Sequence, residues 1–294
     1  MTTPATYVPR HQVPAPVIAP RRYTLIGSIP EVPGDAEGTW QRGVEYYSEG
    51  CNLKTGYIDG WCPPTDDEGN EIPWDKEITP FEPARVASPP FTINSGVDCR
   101  SPVFPSDEKA RAALARGEDL QVERRFWAQQ MARPDLVKLP TTDPTKVLDL
   151  VAALAAIEDE ASQRYSGLPW IFVSPGAFTF LKERRVIERD SNLWRTALDS
   201  IVVPGAGFVG GKGPAAADPP AAGFWILATG QPVMRRSEVF AHEAFDYSTN
   251  RRGAIAERTY TITADCLALA IQAAPCACTP TTTPASGLAA EGEE

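Results

Sequence analysis

Histidine is nearly absent: the 294 residues contain two, His11 and His242, alongside three methionines. No two cysteines stand in C-x-x-C spacing, so the paired close ligands of a structural zinc site are missing. The six cysteines, Cys51, Cys62, Cys99, Cys266, Cys276 and Cys278, are therefore expected to be buried or free thiols. A zinc or disulfide link among Cys51, Cys62 and Cys99 is the alternative, while Cys276 and Cys278 fall in a Pro/Thr-rich tail. G-x-S-x-G and H-E-x-x-H are both lacking, which removes the usual serine-hydrolase and zinc-peptidase signatures. His242 is followed by Glu243, but neighbours on a strand face opposite ways. A pairing of Cys266 with His242 in space is set against the plainer reading of a structural histidine. No catalytic, cofactor-binding or metal-ligating residues are expected, and the chain is read as not an enzyme.

Positive charge is also short. Lys and Arg number 28 against 38 Asp and Glu, a formal charge of −10. Such a chain repels phosphate, so a surface built to grip nucleic acid is not its main business. The acidic clusters Asp66-Asp67-Glu68, Glu158-Asp159-Glu160 and Glu293-Glu294 read as a turn, a solvated helix face and a tail. Long apolar runs are missing too. The most apolar stretch, CLALAIQAA from Cys266, is too short to span a bilayer, and MTTPATYVPR has no apolar segment of the signal-peptide kind. The expectation is a soluble protein made in a cytoplasm.

Proline, by contrast, is abundant at 29 residues, and 43% of the chain is hydrophobic. That apolar content can build a sizeable core, in one large domain or two, with long extended stretches between its elements. Residues 1–38 are punctuated by prolines yet contain Val8, Val13, Val17, Ile18, Tyr23, Leu25 and Ile26, as an extended arm lying on another surface would. Residues 39–100 mix Trp40, Tyr46, Tyr47, Tyr57, Trp61, Trp74, Phe81 and Phe91 with turn formers, which predicts strands joined by a long projecting loop. Ser106 caps a predicted amphipathic helix over 106–132, with Val122 and Phe126 at i, i+4 spacing and Pro134 beyond its end. A second helix is predicted over 143–165, capped by Asp143, then a strand PWIFV and a helix opened by Ser174-Pro175. Strands are predicted in GFWILATG and PVMRRSEVFAH, and a long alternating one in AIAERTYTITADCLALAIQA. There Tyr260, Ile262, Ala264 and Cys266 share one face, and Glu257, Thr259, Thr261 and Thr263 the other. Helices and strands mix without βαβ regularity, so the fold class is α+β.

One glycine pattern needs separate treatment. VVPGAGFVGGKGP places Gly205, Gly207 and Gly210 in G-x-G-x-x-G spacing after an apolar run. A dinucleotide fingerprint requires a helix to follow, and Pro214, Pro219 and Pro220 forbid one. A phosphate loop ending at Lys212 would need glycine at Ala206 and Ser or Thr at Gly213. The glycines are expected to shape an exposed, mobile loop between two strands.

The order of these parts resembles the HK97-type capsid proteins of tailed bacteriophages. VLDLVAALAAIEDEASQRYSGLPWIFVSPGAFTFL looks like their A-domain helix, strand and helix, and IVVPGAGFVG stands where they have a glycine-containing loop. WILATGQPVMRRSEV and NRRGAIAERTYTITADCLALAIQA resemble their returning strands. TWQRGVEYYSEGCN and DLQVERRFWAQQ are similar to structural proteins of actinobacteriophages. The resemblance covers residues 20–275, and the three cysteines of the loop segment depart from it. It implies an N-terminal arm over 1–44, an E-loop-like hairpin over 45–100, and a spine helix with P domain over 101–142. An A domain over 143–230, returning P-domain strands over 231–275 and a disordered tail over 276–294 complete it. The implied function is that of a shell subunit that self-assembles into a phage head around packaged DNA. A minor capsid or head–tail joining protein, or an encapsulin-type compartment, is the alternative. Implied partners are further copies in hexamers and pentamers, scaffold, portal and decoration proteins, and DNA through weak non-specific contact, with no cofactor and no membrane. Candidate inter-subunit contacts are Arg21, Arg22, Trp61, Trp74 and Phe81.

Overall fold

The computed structural model describes residues 21, 23–34, 37–51, 53, 66–68, 70, 83–98, 106–140, 147–218, 223–246, 248 and 251–275. Along them run α1 (Leu25–Ser28), a 3-10 turn at Thr39–Arg42, β1 (Val44–Ser48), β2 (Ala84–Ser88) and β3 (Phe91–Asp98). The long helix α2 (Asp107–Met131) follows, then β4 (Val137–Lys138), β5 (Leu148–Asp149), α3 (Leu150–Arg164), β6 (Trp170–Val173) and α4 (Pro175–Glu183). Strands β7 (Ile187–Asp190), β8 (Leu193–Thr196), β9 (Ile201–Pro204), β10 (Phe224–Thr229), β11 (Pro232–Arg236), β12 (Phe240–Asp246), β13 (Arg251–Ala264) and β14 (Ala268–Ala274) complete the body. The class is α+β, as expected.

The helices begin where side chains can satisfy their free N–H groups. Ser106 accepts from Lys109, Asp149 from Val151, and Ser174 from Ala177 with Pro175 in the first turn. The second predicted helix starts at Leu150 with Asp149 as its cap, later than the proposed Asp143 cap. Leu148 and Asp149 are extended instead, because they pair in parallel with Ala273 and Ala274 of β14.

An eight-stranded mixed sheet, ordered β4-β14-β10-β6-β9-β8-β7 with β5 also on β14, forms the larger half. Its central strands are buried on both faces, which explains the unbroken apolar run WIFV. Ile171, Val173, Val202, Ile226, Leu269 and Ile271 point into a core with α3 and α4. The alternate residues Trp170, Phe172, Ile201, Val203, Trp225 and Leu227 point into a second core with α1 and α2.

A smaller four-stranded sheet is built on β13, with β3 along one edge and β12 then β11 along the other. The predicted strand over 232–242 is thus two. Between them Ser237 exchanges hydrogen bonds with the backbone of Thr259. The predicted strand over 254–273 is also two, because the chain leaves one sheet for the other at Asp265–Leu267. Arg133 fastens that turn by donating to the carbonyls of Ala264, Asp265 and Cys266. The expected alternation fails at Thr261 and Thr263, both buried like Tyr260 and Ile262. Thr261 donates to the Trp40 carbonyl and Ser88 donates to that of Ile262, so β2 and the 3-10 turn sit over this end of β13.

α2 serves both sheets. Ala110 and Leu114 in its first half pack with Ala254 and Ala256 of β13, and Val122, Phe126, Trp127 and Met131 in its second half pack on the large sheet. At 1.5 Å per residue such a helix is about 37 Å long.

Candidate assembly surfaces and the glycine loop

Residues 23–34 do not extend away from the body. Tyr23 packs edge-on to Trp194 at 6.0 Å, and Leu25 and Ile29 are buried in the core under α2. Glu31 bridges to Met234, with Val32 donating to the Met234 carbonyl at 2.9 Å and Met234 donating to that of Pro30 at 3.0 Å. Arg236 closes an ion pair on Glu31 at 2.8 Å. Over residues 23–34 the chain lies as a strap on its own body, because Leu25 and Ile29 find apolar cover there; residues 1–20 of the expected arm lie outside the described residues.

The strap is tied down by a buried carboxylate. Glu123 of α2 is fully buried and accepts the Leu25 N–H at 3.3 Å and the Gly207 N–H at 2.8 Å. The Arg21 guanidinium lies 3.8 Å away and is partly exposed. Burial raises the Glu123 carboxyl above the usual range, against the pull of the two N–H groups and Arg21; nearby Asp119 pushes the same way as burial. Asp119 is itself raised, by its own burial first. One side chain thus joins strap, long helix and glycine loop.

This junction answers the question raised by the glycines. A Cβ on Gly207 would stand 2.5 Å from the Glu123 Cβ and 2.8 Å from the Leu120 carbonyl oxygen, so glycine is required for close approach to α2. Gly210 has φ +62°, a left-handed turn. The Gly207 N–H is the type of donor that would hold a phosphate, and it is already given to a carboxylate that would repel one. Phe208 is buried against Trp127 at 5.2 Å, and the Trp127 indole donates to the Lys212 carbonyl. The loop expected to be exposed and mobile is packed through Gly205, Gly207, Phe208 and Gly213, with Val209, Gly210 and Lys212 exposed. Val209, Trp127 and Met131 line a shallow cavity of about 490 Å³ there.

A second cluster surrounds the root of the long segment between β1 and β2. Those strands pair antiparallel from Val44–Ser88 to Ser48–Ala84. Just past β1, Cys51 is disulfide-bonded to Cys266 in the β13–β14 turn, with Cα atoms 6.0 Å apart. This overturns the free-thiol expectation for both residues and the idea that Cys51 would link to Cys62 or Cys99, which lie outside the described residues. It also removes the Cys266–His242 pairing. Tyr165 packs beneath Gly50, donates to Asp265 at 3.0 Å and accepts from the Gln231 N–H. Ser48 donates to the Cys266 sulfur at 3.2 Å.

Apolar side chains remain exposed in specific places. Phe240, 60% exposed, and Ile255 lie on the face of the small sheet opposite α2. His242 pairs with Ile255, and its ring lies tilted against Phe240 with centroids 5.3 Å apart. Tyr47, Leu198 and Val209 are exposed elsewhere. Of the five proposed contact residues only Arg21 is described, and it is engaged by Glu123. Arg22, Trp61, Trp74 and Phe81 lie outside the described residues. Glu123 was legible as an acid on the apolar track of Phe126 and Trp127, whereas nothing in the sequence pairs Cys51 with Cys266. Among the described residues no group of His, Cys, Asp or Glu could hold a metal, and no helix is long and apolar enough to cross a membrane.

No known family's sequence profile matches the chain, and no curated protein sequence does. Solved structures do resemble it. The capsid of Ralstonia phage GP4 is 9% identical with a TM-score of 0.49, covering 90% of this chain and 95% of that one. The capsid of a native GTA particle is 12% identical with a TM-score of 0.49, over 91% and 95%. The SrpI encapsulin complex of Synechococcus elongatus PCC 7942 is 11% identical with a TM-score of 0.47, over 88% and 91%.

Proposed function

We propose that the chain is a shell subunit that joins copies of itself into a phage head around packaged DNA, the role of a major capsid protein. The observation that carries this is the arrangement of parts: a β1–β2 hairpin with a long intervening segment, seated over the end of β13, and a small sheet packed along α2. The described polar clusters support it, since Glu123, Arg133 and Tyr165 each tie separate elements of the fold together. The exposed Phe240–His242–Ile255 face supports it too, as a surface that a second copy would cover.

On this reading Arg22, Trp61, Trp74 and Phe81 reach neighbouring copies, Arg21 does so only beyond its tie to Glu123, and the segments follow the boundaries given above. Copies meet as hexamers and pentamers, with scaffold, portal and decoration proteins as further partners and DNA touched weakly. The mature location is the virion, after synthesis in the host cytoplasm, and no reaction is catalysed. Electron microscopy of the expressed full-length protein, alone and with its neighbouring gene products, tests this. Closed shells or curved sheets of subunits are expected. A compact monomer that stays inert at high concentration would overturn it, and rings of about a dozen subunits would mark a joining protein instead.

A further inference from the structure

The Cys51–Cys266 bond fixes the root of the segment that leaves β1 to a turn between the two sheets, 215 residues away in sequence. Next to the bond, the Gly50 N–H donates to the Ser48 hydroxyl, the Ser166 N–H donates to the Gly50 carbonyl, and Tyr165 packs against Gly50. The other end of the disulfide is firmly seated: the Cys266 carbonyl accepts from Arg133, and its N–H is held by Asp265. The bond is also reachable. Cys51 and Cys266 both line an open cavity of about 440 Å³, with Leu53, Val137, Gln163 and Arg164 around it. Cys51 is only half-buried. A small thiol can therefore approach from the Cys51 side.

We propose that Cys51–Cys266 is a reversible redox clasp that sets how firmly the segment after β1 is held to the body. In the reducing direction, two thiols of a small-molecule reductant become one disulfide. The Cys51–Cys266 bond takes up the two electrons and two protons to give two free thiols. A glutathione-rich compartment favours the open dithiol, and an oxidising medium favours the closed form. The seated side at Cys266 stays in place on opening, and the Cys51 side is released. The clasp is a property of the single chain and does not depend on whether copies assemble.

Lys54 is the first basic residue after Cys51, so trypsin cleavage there reads the clasp. The full-length protein, air-oxidised and held dilute, is digested with and without dithiothreitol, and unreduced peptides are mapped by mass. A Cys51–Cys266-linked peptide is expected, with cleavage after Lys54 at least tenfold faster once it is reduced. Cys51→Ser should cleave at the fast rate without reductant and respond to it no further. Cys266→Ser should do the same, and because it alters a nearly buried position, Cys51→Ser with unchanged circular dichroism is the deciding variant. Mapping that joins Cys51 to Cys62 or Cys99, or finds it free, would overturn the proposal. So would a linked peptide whose reduction leaves the Lys54 rate unchanged.

Discussion

The two sheets are finished to different degrees. The large sheet has helices on both faces, and its strands alternate between two closed cores. The small sheet is covered by α2 on one face, while Phe240, His242 and Ile255 stand open on the other. The same chain therefore completes one sheet by itself and leaves the other half-covered. Stability should be concentrated in the first and association in the second.

The largest effect that would sharpen this contrast is Phe172→Ala. Phe172 is fully buried between Phe126, at 4.9 Å, and Phe208, at 5.9 Å. Truncation should cost about 3–5 kcal/mol, read as a lower denaturant midpoint at unchanged slope. Gly207→Ala should follow at about 1–3 kcal/mol, since the added methyl meets the backbone N of Arg124 at 2.6 Å as well as Glu123. Less than half that loss would mean the loop can lift off α2.

A pH series tests the same junction. The Glu123 carboxyl is raised in the folded state above its ordinary value of 4.5, so the folded chain holds its proton more tightly than the unfolded one. The sign is then fixed: this group favours the fold below 4.5 and loses that contribution as pH rises through the folded-state value. Wild type should therefore gain stability relative to Glu123→Gln between pH 7 and pH 5, measured by urea denaturation of both. An equal pH slope in the two proteins would show that the carboxyl is not raised. The smallest effect belongs to the small sheet: Phe240→Ser should change monomer stability by no more than about 0.5 kcal/mol. It should nonetheless weaken assembly, read by sedimentation. A loss comparable to that of Phe172→Ala would break the contrast, because Phe240 would then belong to a core.

The fold was legible where a local signal matched a local cause. Ser106, Ser174 and the run WIFV announced two helix starts and a strand. It was not legible where a long-range partner decided the outcome. Asp149 rather than Asp143 caps α3 because β14 claims the two residues before it. The threonines of β13 are buried because β2 and the turn at Trp40 arrive from far away in sequence. The glycine loop shows the same limit: the prolines after it argued against a nucleotide site, but its packing depends on where α2 carries Glu123. The disulfide was out of reach altogether, since six cysteines offer many pairings and no spacing rule selects one.

α2 has a mechanical consequence. Its first half is bolted to the small sheet and its second half to residues of both sheets, and no proline interrupts it. A rod held at both ends passes torque and does not hinge. If a neighbour presses on the open side of the small sheet, the push must tip the whole body as one lever or unseat Leu114 or Phe126 from its socket.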